Sequence, residues 1–234
     1  MAALATPVTT KTSLADIHYP TSDGKPMGET DVHRNVMAAA IDVLQMFYAG
    51  QTVYVSGNIL VYYRPGNKRR HVSPDVLVVK GLEPRDRDNY LLWEEGRAPN
   101  VVIEVTSEST REEDLQDKFE IYRDEIRVVE YFLFDPRAEY LNPVLQGYRL
   151  RRGRYEPIAA VAGRMPSTEL GLHLEADGNR LRFYDPVSGR WLPTSHEACL
   201  QKDAALEQKD AALEQKDAEL ERLRQELAAL RARD

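Results

Sequence analysis

The sequence predicts an α/β protein: a mixed sheet core flanked by helices, with added β-hairpins and a C-terminal coiled-coil helix. Three observations carry that expectation. Two short runs, at residues 72–79 and 100–106, are apolar on both faces, as strands buried on both sides of a sheet are. Strand, helix and strand patterns follow one another between Asn100 and Phe134, an order that needs a crossover and therefore some parallel pairing. From Gln201 onward the heptads QKDAALE, QKDAALE and QKDAELE succeed one another.

Taken in chain order, residues 1–28 are rich in Thr, Pro, Asp and Gly and predict a loose lead-in. A helix follows, with Thr30 or Asp31 as its N-cap, a stripe of Val32, Val36, Ala39, Ala40, Val43, Leu44 and Phe47, and Gly50 as its stop. Residues 52–63 predict two short strands or one bulged strand, broken at Ser56-Gly57-Asn58 and closed by the turn Arg64-Pro65-Gly66-Asn67. The run 72–79 carries Asp75 within it, with Pro74 tolerable near its start. A polar loop covers 83–94, and the run 100–106 has Glu104 embedded in it. Thr110 and Glu113 have the spacing of a capping box before the stripe Leu115, Phe119 and Tyr122, and a strand at 128–134 closes on Asp135-Pro136. Short strands with turn signals at Arg152-Gly153, Asp177-Gly178-Asn179 and Ser188-Gly189 predict a meander or paired hairpins from 144 to 192. The domain expected from these signals spans 29–198, and the tail 199–234 is a heptad helix. Leu206, Leu213, Leu220 and Leu227 form one seam, but the second seam position is apolar only at Leu223 and Leu230 and is Lys209 and Lys216 earlier. The repeat favours a homodimer or higher homo-oligomer over a solitary solvated helix.

Composition sets bounds on function. The chain has 234 residues, is 42% hydrophobic and contains no apolar run long enough to span a bilayer. Its single cysteine, Cys199, excludes an internal disulfide, and with no secretory pattern at the start the expected location is cytoplasmic. The formal net charge of -7 works against unspecific attraction to phosphate backbones, so nucleic-acid binding would need local positive charge or bound metal ions. Two basic clusters could supply it: Lys68, Arg69, Arg70 and His71, and Arg149, Arg151, Arg152 and Arg154.

Loops of the Walker and dinucleotide-binding types, zincin and hydrolase motifs, and paired cysteines are all absent. What remains is Asp75 and Glu104, each on a doubly apolar run where an ionised carboxylate needs hydrogen bonds, a cation or a metal. On neighbouring strands, two such side chains would form an oxygen-rich pocket suited to Mg²⁺. Spacing alone equally allows each acid to cap a backbone end or pair with an arginine.

Several matching segments bear on that choice: Pro74-Asp75 with Val76-Leu77-Val78-Val79, then Val102-Ile103-Glu104-Val105-Thr106-Ser107, Ser109-Thr110-Arg111, Asp114-Leu115, Lys118, Tyr122, Glu130-Tyr131-Phe132 and Asp135-Pro136. In this order and spacing the chain resembles the Uma-two family of restriction-endonuclease-like proteins, a branch of the PD-(D/E)XK nuclease superfamily. The resemblance is strong from His33 to Pro136, looser through the hairpins and absent from the tail. It implies a restriction-endonuclease-like fold and a metal-dependent endonuclease that hydrolyses DNA phosphodiester bonds. It also implies Mg²⁺, for which Mn²⁺ can substitute, held by Asp75, Glu104 and the backbone carbonyl of Val105. The superfamily's lysine two residues after the acid is Thr106 here. In the Uma-two pattern the basic role moves to the next helix, at Lys118, where it would steady the attacking water or the charge developing on phosphate. Asp114, four residues before Lys118, also allows Lys118 a plain helix-stabilising part. Glu29 and His33 are weaker candidates from the first helix. Glu108 and Ile126-Arg127-Val128 depart from the family's usual Pro and Gly-Val. A different class of protein, a catalytically silent nuclease-fold scaffold assembling through its coiled coil, is the alternative.

Overall fold

The structure is a computed structural model that describes residues 17–22, 30–107 and 111–231. The chain divides into two compact units, Met1–Leu192 and Pro193–Asp234. The first is built on a six-stranded sheet whose spatial order is β1 (Val53–Ser56), β4 (Val76–Lys80), β6 (Val101–Val105), β7 (Glu130–Phe134), β8 (Leu145–Arg151) and β9 (Arg154–Pro157). Only β6 and β7 are parallel. The chain between them makes the expected crossover through the helical stretch α3, residues 113–126. Two smaller sheets complete the unit. One has β2 (Val61–Tyr62) between β3 (His71–Val72) and β5 (Tyr90–Leu91), and the other is the antiparallel run β10 (Met165–Ser167), β11 (Leu172–Asp177), β12 (Arg180–Asp185) and β13 (Arg190–Trp191).

The period-two alternation of the central strands separates two cores. Val76, Val78, Val101, Ile103 and Val105 face helix α1 (Asp31–Phe47) and the four-stranded sheet, through Val36, Ala40, Leu44, Leu174 and Phe183. Leu77, Val79, Val102 and Leu133 face α3, through Tyr122 and Ile126. Both faces are therefore covered, which explains why these strands read as continuous apolar runs. Thr30 is the cap of α1, accepting from the His33 N–H at 3.3 Å. The second core is rich in tyrosine, and its buried rings find partners for their hydroxyls: Tyr90 donates to the Arg97 carbonyl at 2.6 Å and Tyr131 to the Asp114 carbonyl at 3.0 Å.

Three details differ from the sequence expectation. The run at 72–79 is not one strand: His71–Val72 pairs with β2, and pairing with β6 begins at Val76. Pro74 has no N–H for a ladder, and its carbonyl accepts instead from Asn58 N at 2.8 Å. Asp75 therefore stands at the entry to β4 rather than inside it. Residues 52–63 do form the two short strands expected, in different sheets and parted at Asn58, whose φ is 51°. The polar loop at 83–94 holds β5 and the short helix α2 (Leu92–Glu95). In the lead-in, Tyr19 is docked rather than loose: it is buried beside Tyr62 and Trp93, and its hydroxyl accepts from Gly66 N at 2.7 Å. The capping residue Thr110 lies outside the described residues. The hairpin turns fall where expected, with Arg152-Gly153 between β8 and β9 and Gly178 between β11 and β12. In the second unit one helix, α4 (Ser195–Arg231), carries the heptads, with Leu206, Leu213, Leu220 and Leu223 exposed. No described helix is long and apolar enough to cross a membrane.

Gly57 matters to the approach of Asp75. A Cβ on Gly57 would stand 1.9 Å from the Asp75 carbonyl oxygen and 2.8 Å from Ile41 Cδ1. Gly57→Ala is expected to destabilise the fold by about 1–3 kcal/mol in urea denaturation, and an unchanged midpoint would show that the loop before β4 yields freely.

Candidate active site

The antiparallel register of β4 and β6 sets Val76 opposite Ile103 and Leu77 opposite Val102. One step further along that register, Asp75 comes opposite Glu104, on the face shared by Leu77 and Val102. Asp75 is held there by a hydrogen bond on one oxygen and a close imidazole contact on the other. Oδ2 accepts from Val105 N at 2.7 Å, and Oδ1 lies 3.1 Å from Nε2 of His33, in the first turn of α1. Glu104 is wholly buried. Its Oε1 accepts from the Tyr122 hydroxyl at 2.6 Å and its Oε2 from Lys118 Nζ at 2.9 Å.

The partners of Glu104 come from α3, which is unusual in its winding. A π-helical turn (Glu113–Asp117), an α-helical turn (Lys118–Glu120) and a second π-helical turn (Ile121–Ile126) follow one another. In an unbroken α-helix residues four apart drift by roughly 40° per step. Wider π turns turn less per residue and offset that drift. Asp114, Lys118 and Tyr122 thus stay in line toward the sheet. Lys118 Nζ also lies 3.0 Å from Asp114 Oδ1, and Asp114 Oδ2 accepts from the Thr106 hydroxyl at 2.8 Å. Thr106 in turn makes a short hydrogen bond with the Tyr140 hydroxyl. Thr106 therefore holds the acid that lies against Lys118.

Electrostatics follow from this crowding. Burial pushes the Glu104 carboxyl well above the usual carboxylate range; Lys118 draws it down, Asp75 and Asp114 raise it further, and the Tyr122 hydroxyl draws it down. Burial alone would favour neutral Lys118, but Glu104, Asp114 and Asp75 outweigh it and hold the ammonium above the ordinary lysine value. Tyr122 is pushed up by burial and then by Glu104, so its hydroxyl remains a donor. Three carboxylates surround one ammonium, and with all three ionised the cluster carries an excess of negative charge that a divalent cation would balance.

Among the described residues no three His, Cys, Asp or Glu side chains are grouped to hold a metal ion. Two carboxylates with main-chain oxygen and water suit Mg²⁺, which keeps several waters when bound. Asp75 and Glu104 fit such an ion by donor chemistry and by the charge excess. A cleft of about 340 Å³ lined by His71, Val72, Ser73, Asp117, Lys118 and Ile121 reaches Lys118, while neither Asp75 nor Glu104 lines it. A roomier cavity of about 510 Å³ beside β1 touches none of Asp75, Glu104 and Lys118.

Asp75, Glu104, Val105, Lys118 and His33, expected from sequence, are thus gathered at one end of β4 and β6, while Glu29 lies outside the described residues. Sequence reasoning missed Tyr122, read as core, and gave Asp114 and Thr106 no part in the site. The four-residue spacing of 114, 118 and 122 was the available signal. Glu130 is also buried, but it is structural: Arg149, at 2.8 Å, and the Thr168 hydroxyl and N–H tie it to the segment after β10.

A mixed sheet with a crossover helix, carrying paired acids and a lysine where two central strands end, defines a nuclease-like α/β protein. The chain belongs to the Uma2 family, described as "putative restriction endonuclease", whose model matches residues 13–196. It is also similar to the crystal structure of a "putative nuclease belonging to DUF820" from Anabaena variabilis ATCC 29413, at 15% identity, with 70% of this chain and 95% of that chain covered and a TM-score of 0.47. No curated protein matches the chain.

A carboxyl whose folded value is raised favours folding below its unfolded value and loses that contribution as pH rises through the folded one. In chelator, the wild type should therefore lose thermal stability relative to Glu104→Gln as pH rises above the ordinary carboxylate range. The opposite slope would mean that Lys118 and Tyr122 dominate over burial.

Proposed function

We propose that the protein is a metal-dependent endonuclease that hydrolyses DNA phosphodiester bonds. The observation that carries this proposal is the placement of Asp75 against Glu104 at the ends of β4 and β6, with the Lys118 ammonium on Glu104. Asp75, Glu104 and the carbonyl of Val105 would hold one or two Mg²⁺ ions. When bound, Mg²⁺ supplies activation of water and neutralisation of phosphate charge.

The chain's own groups do the rest. Val105 N–H and His33 fix the Asp75 carboxylate, and Tyr122 fixes Glu104, so that both acids are oriented before substrate arrives. Lys118, held charged at the cleft, donates from Nζ to a phosphate oxygen as negative charge grows there. Water adds to phosphorus, one P–O ester bond breaks, and the products are a phosphomonoester and an alcohol.

The exposed leucines of α4 at 206, 213 and 220 support self-association as a homodimer, which would present two sites to two strands. A silent scaffold is the second reading. It is favoured by one observation: every carboxylate oxygen of Asp75 and Glu104 already has a protein partner within 3.1 Å.

Supercoiled plasmid with Mg²⁺ or Mn²⁺ separates the two. The wild type should nick it, Asp75→Ala and Glu104→Ala should not, and Lys118→Ala should be slowed by about 10²–10³. A folded, inert wild type favours the scaffold. Deleting residues 201–234 should convert a dimer to a monomer in sedimentation, and an unchanged dimer would remove the tail's part.

A further inference from the structure

We propose that the hairpin tip at residues 68–70, continuous with the cleft wall at 71–73, is the surface on which the phosphodiester backbone of a nucleic acid lies as it approaches the site. This rests on the proposed nuclease function and adds where the polyanion is held.

A chain with formal net charge -7 must concentrate its positive charge to hold a polyanion. The structure separates its two basic clusters. In the second, Arg149 is spent on buried Glu130 at 2.8 Å and Arg151 faces Glu156 at 3.9 Å, so those arginines help join β7, β8 and β9. In the first, Lys68, Arg69 and Arg70 are all exposed; Glu125, already bound by Arg64, feels the charge of Arg70, and no acid among the described residues forms a close ion pair with any of the three.

The backbone beneath these three cations is pinned. Arg64 binds Glu125 of α3 through two hydrogen bonds, at 3.0 and 2.7 Å, and Gly66 N donates to the Tyr19 hydroxyl at 2.7 Å. Arg69 N donates to Asn67 Oδ1 at 3.0 Å, the Lys68 carbonyl lies 2.9 Å from His71 Nδ1, and Tyr63 N donates to the Arg70 carbonyl at 3.1 Å. The cations project from a backbone already in place, which lowers the ordering cost of binding.

The tip also leads directly to the chemistry. His71 to Ser73 wall the cleft opposite Lys118, and Asp75 follows two residues after Ser73. The far wall carries Glu113 and Asp117, which repel phosphate. Lys118 is the one lysine or arginine lining the cleft, and Lys68, Arg69 and Arg70 directly precede its His71–Ser73 wall, so a phosphate backbone held on the hairpin would lead to Lys118.

The test is binding of a fluorescein-labelled DNA duplex and of its single strand, by anisotropy in chelator, with the full-length protein across a salt series. Lys68→Ala/Arg69→Ala/Arg70→Ala is compared with Arg151→Ala/Arg152→Ala/Arg154→Ala. The hairpin variant should lose tenfold or more in affinity at low salt, and its slope of log affinity against log salt should flatten by up to about 3 (~0.9 for each phosphate no longer neutralised). The control variant should keep wild-type binding. Wild-type affinity and slope in the hairpin variant, an equal loss in the control, or no binding by wild type would each overturn the proposal. If the hairpin variant loses binding while the wild type binds but never cleaves, the surface stands and the nuclease function falls.

Discussion

The structure is organised around a wholly buried carboxylate. Glu104 sits in the middle layer of the sheet, flanked by Ile103 and Val105 whose side chains fill the opposite core. An isolated ionised carboxylate there is costly, so its neighbours must supply charge and donors. Lys118 and Tyr122 supply them, and both come from α3. Lys118 in turn needs Asp114, and Asp114 needs Thr106, which Tyr140 then completes. Removing one member of such a buried pair typically costs about 3–5 kcal/mol, because the other charge is stranded. The cluster is a poor choice for stability alone, since apolar residues of like volume would pack at least as well.

The fold distributes the work between two faces. Helix α1 and the four-stranded sheet cover one side and supply apolar mass, with His33 reaching around the end of the strands to Asp75. The α3 side supplies every polar group that touches Glu104. The π-helical turns offset the drift of four-residue steps, so Asp114, Lys118 and Tyr122 stay closer to one line than in a regular α-helix. Here local winding decides the geometry of the site, and the parallel β6–α3–β7 crossover decides where that winding is placed.

Much of this was legible in the sequence, for identifiable reasons. The doubly apolar runs marked β4 and β6 because both of their faces are covered, and an acid inside each run was conspicuous for the same reason. The crossover followed from strand, helix and strand in sequence. The family pattern pointed to Lys118, which composition could not have singled out. Other features depended on long-range placement. Pro74 ended one pairing and Asn58 took its carbonyl, so Asp75 moved out of the strand. Tyr122 reads as one apolar residue in a stripe until its hydroxyl is seen on Glu104. Thr106 reads as a missing lysine until Asp114 is seen behind it. The four-residue spacing of 114, 118 and 122 did put them on one helix face, whereas the π turns that carry them leave no mark in helical periodicity.

The central claim is that this cluster is a cation site and not only a knot of internal hydrogen bonds. Calorimetric titration of the metal-free protein with Mn²⁺ tests it without any assumption about substrate. Saturable binding by wild type that is abolished in Asp75→Ala and in Glu104→Ala is the predicted result. A folded wild type that takes up no Mn²⁺, or acid variants that bind it as well as wild type does, would contradict the account.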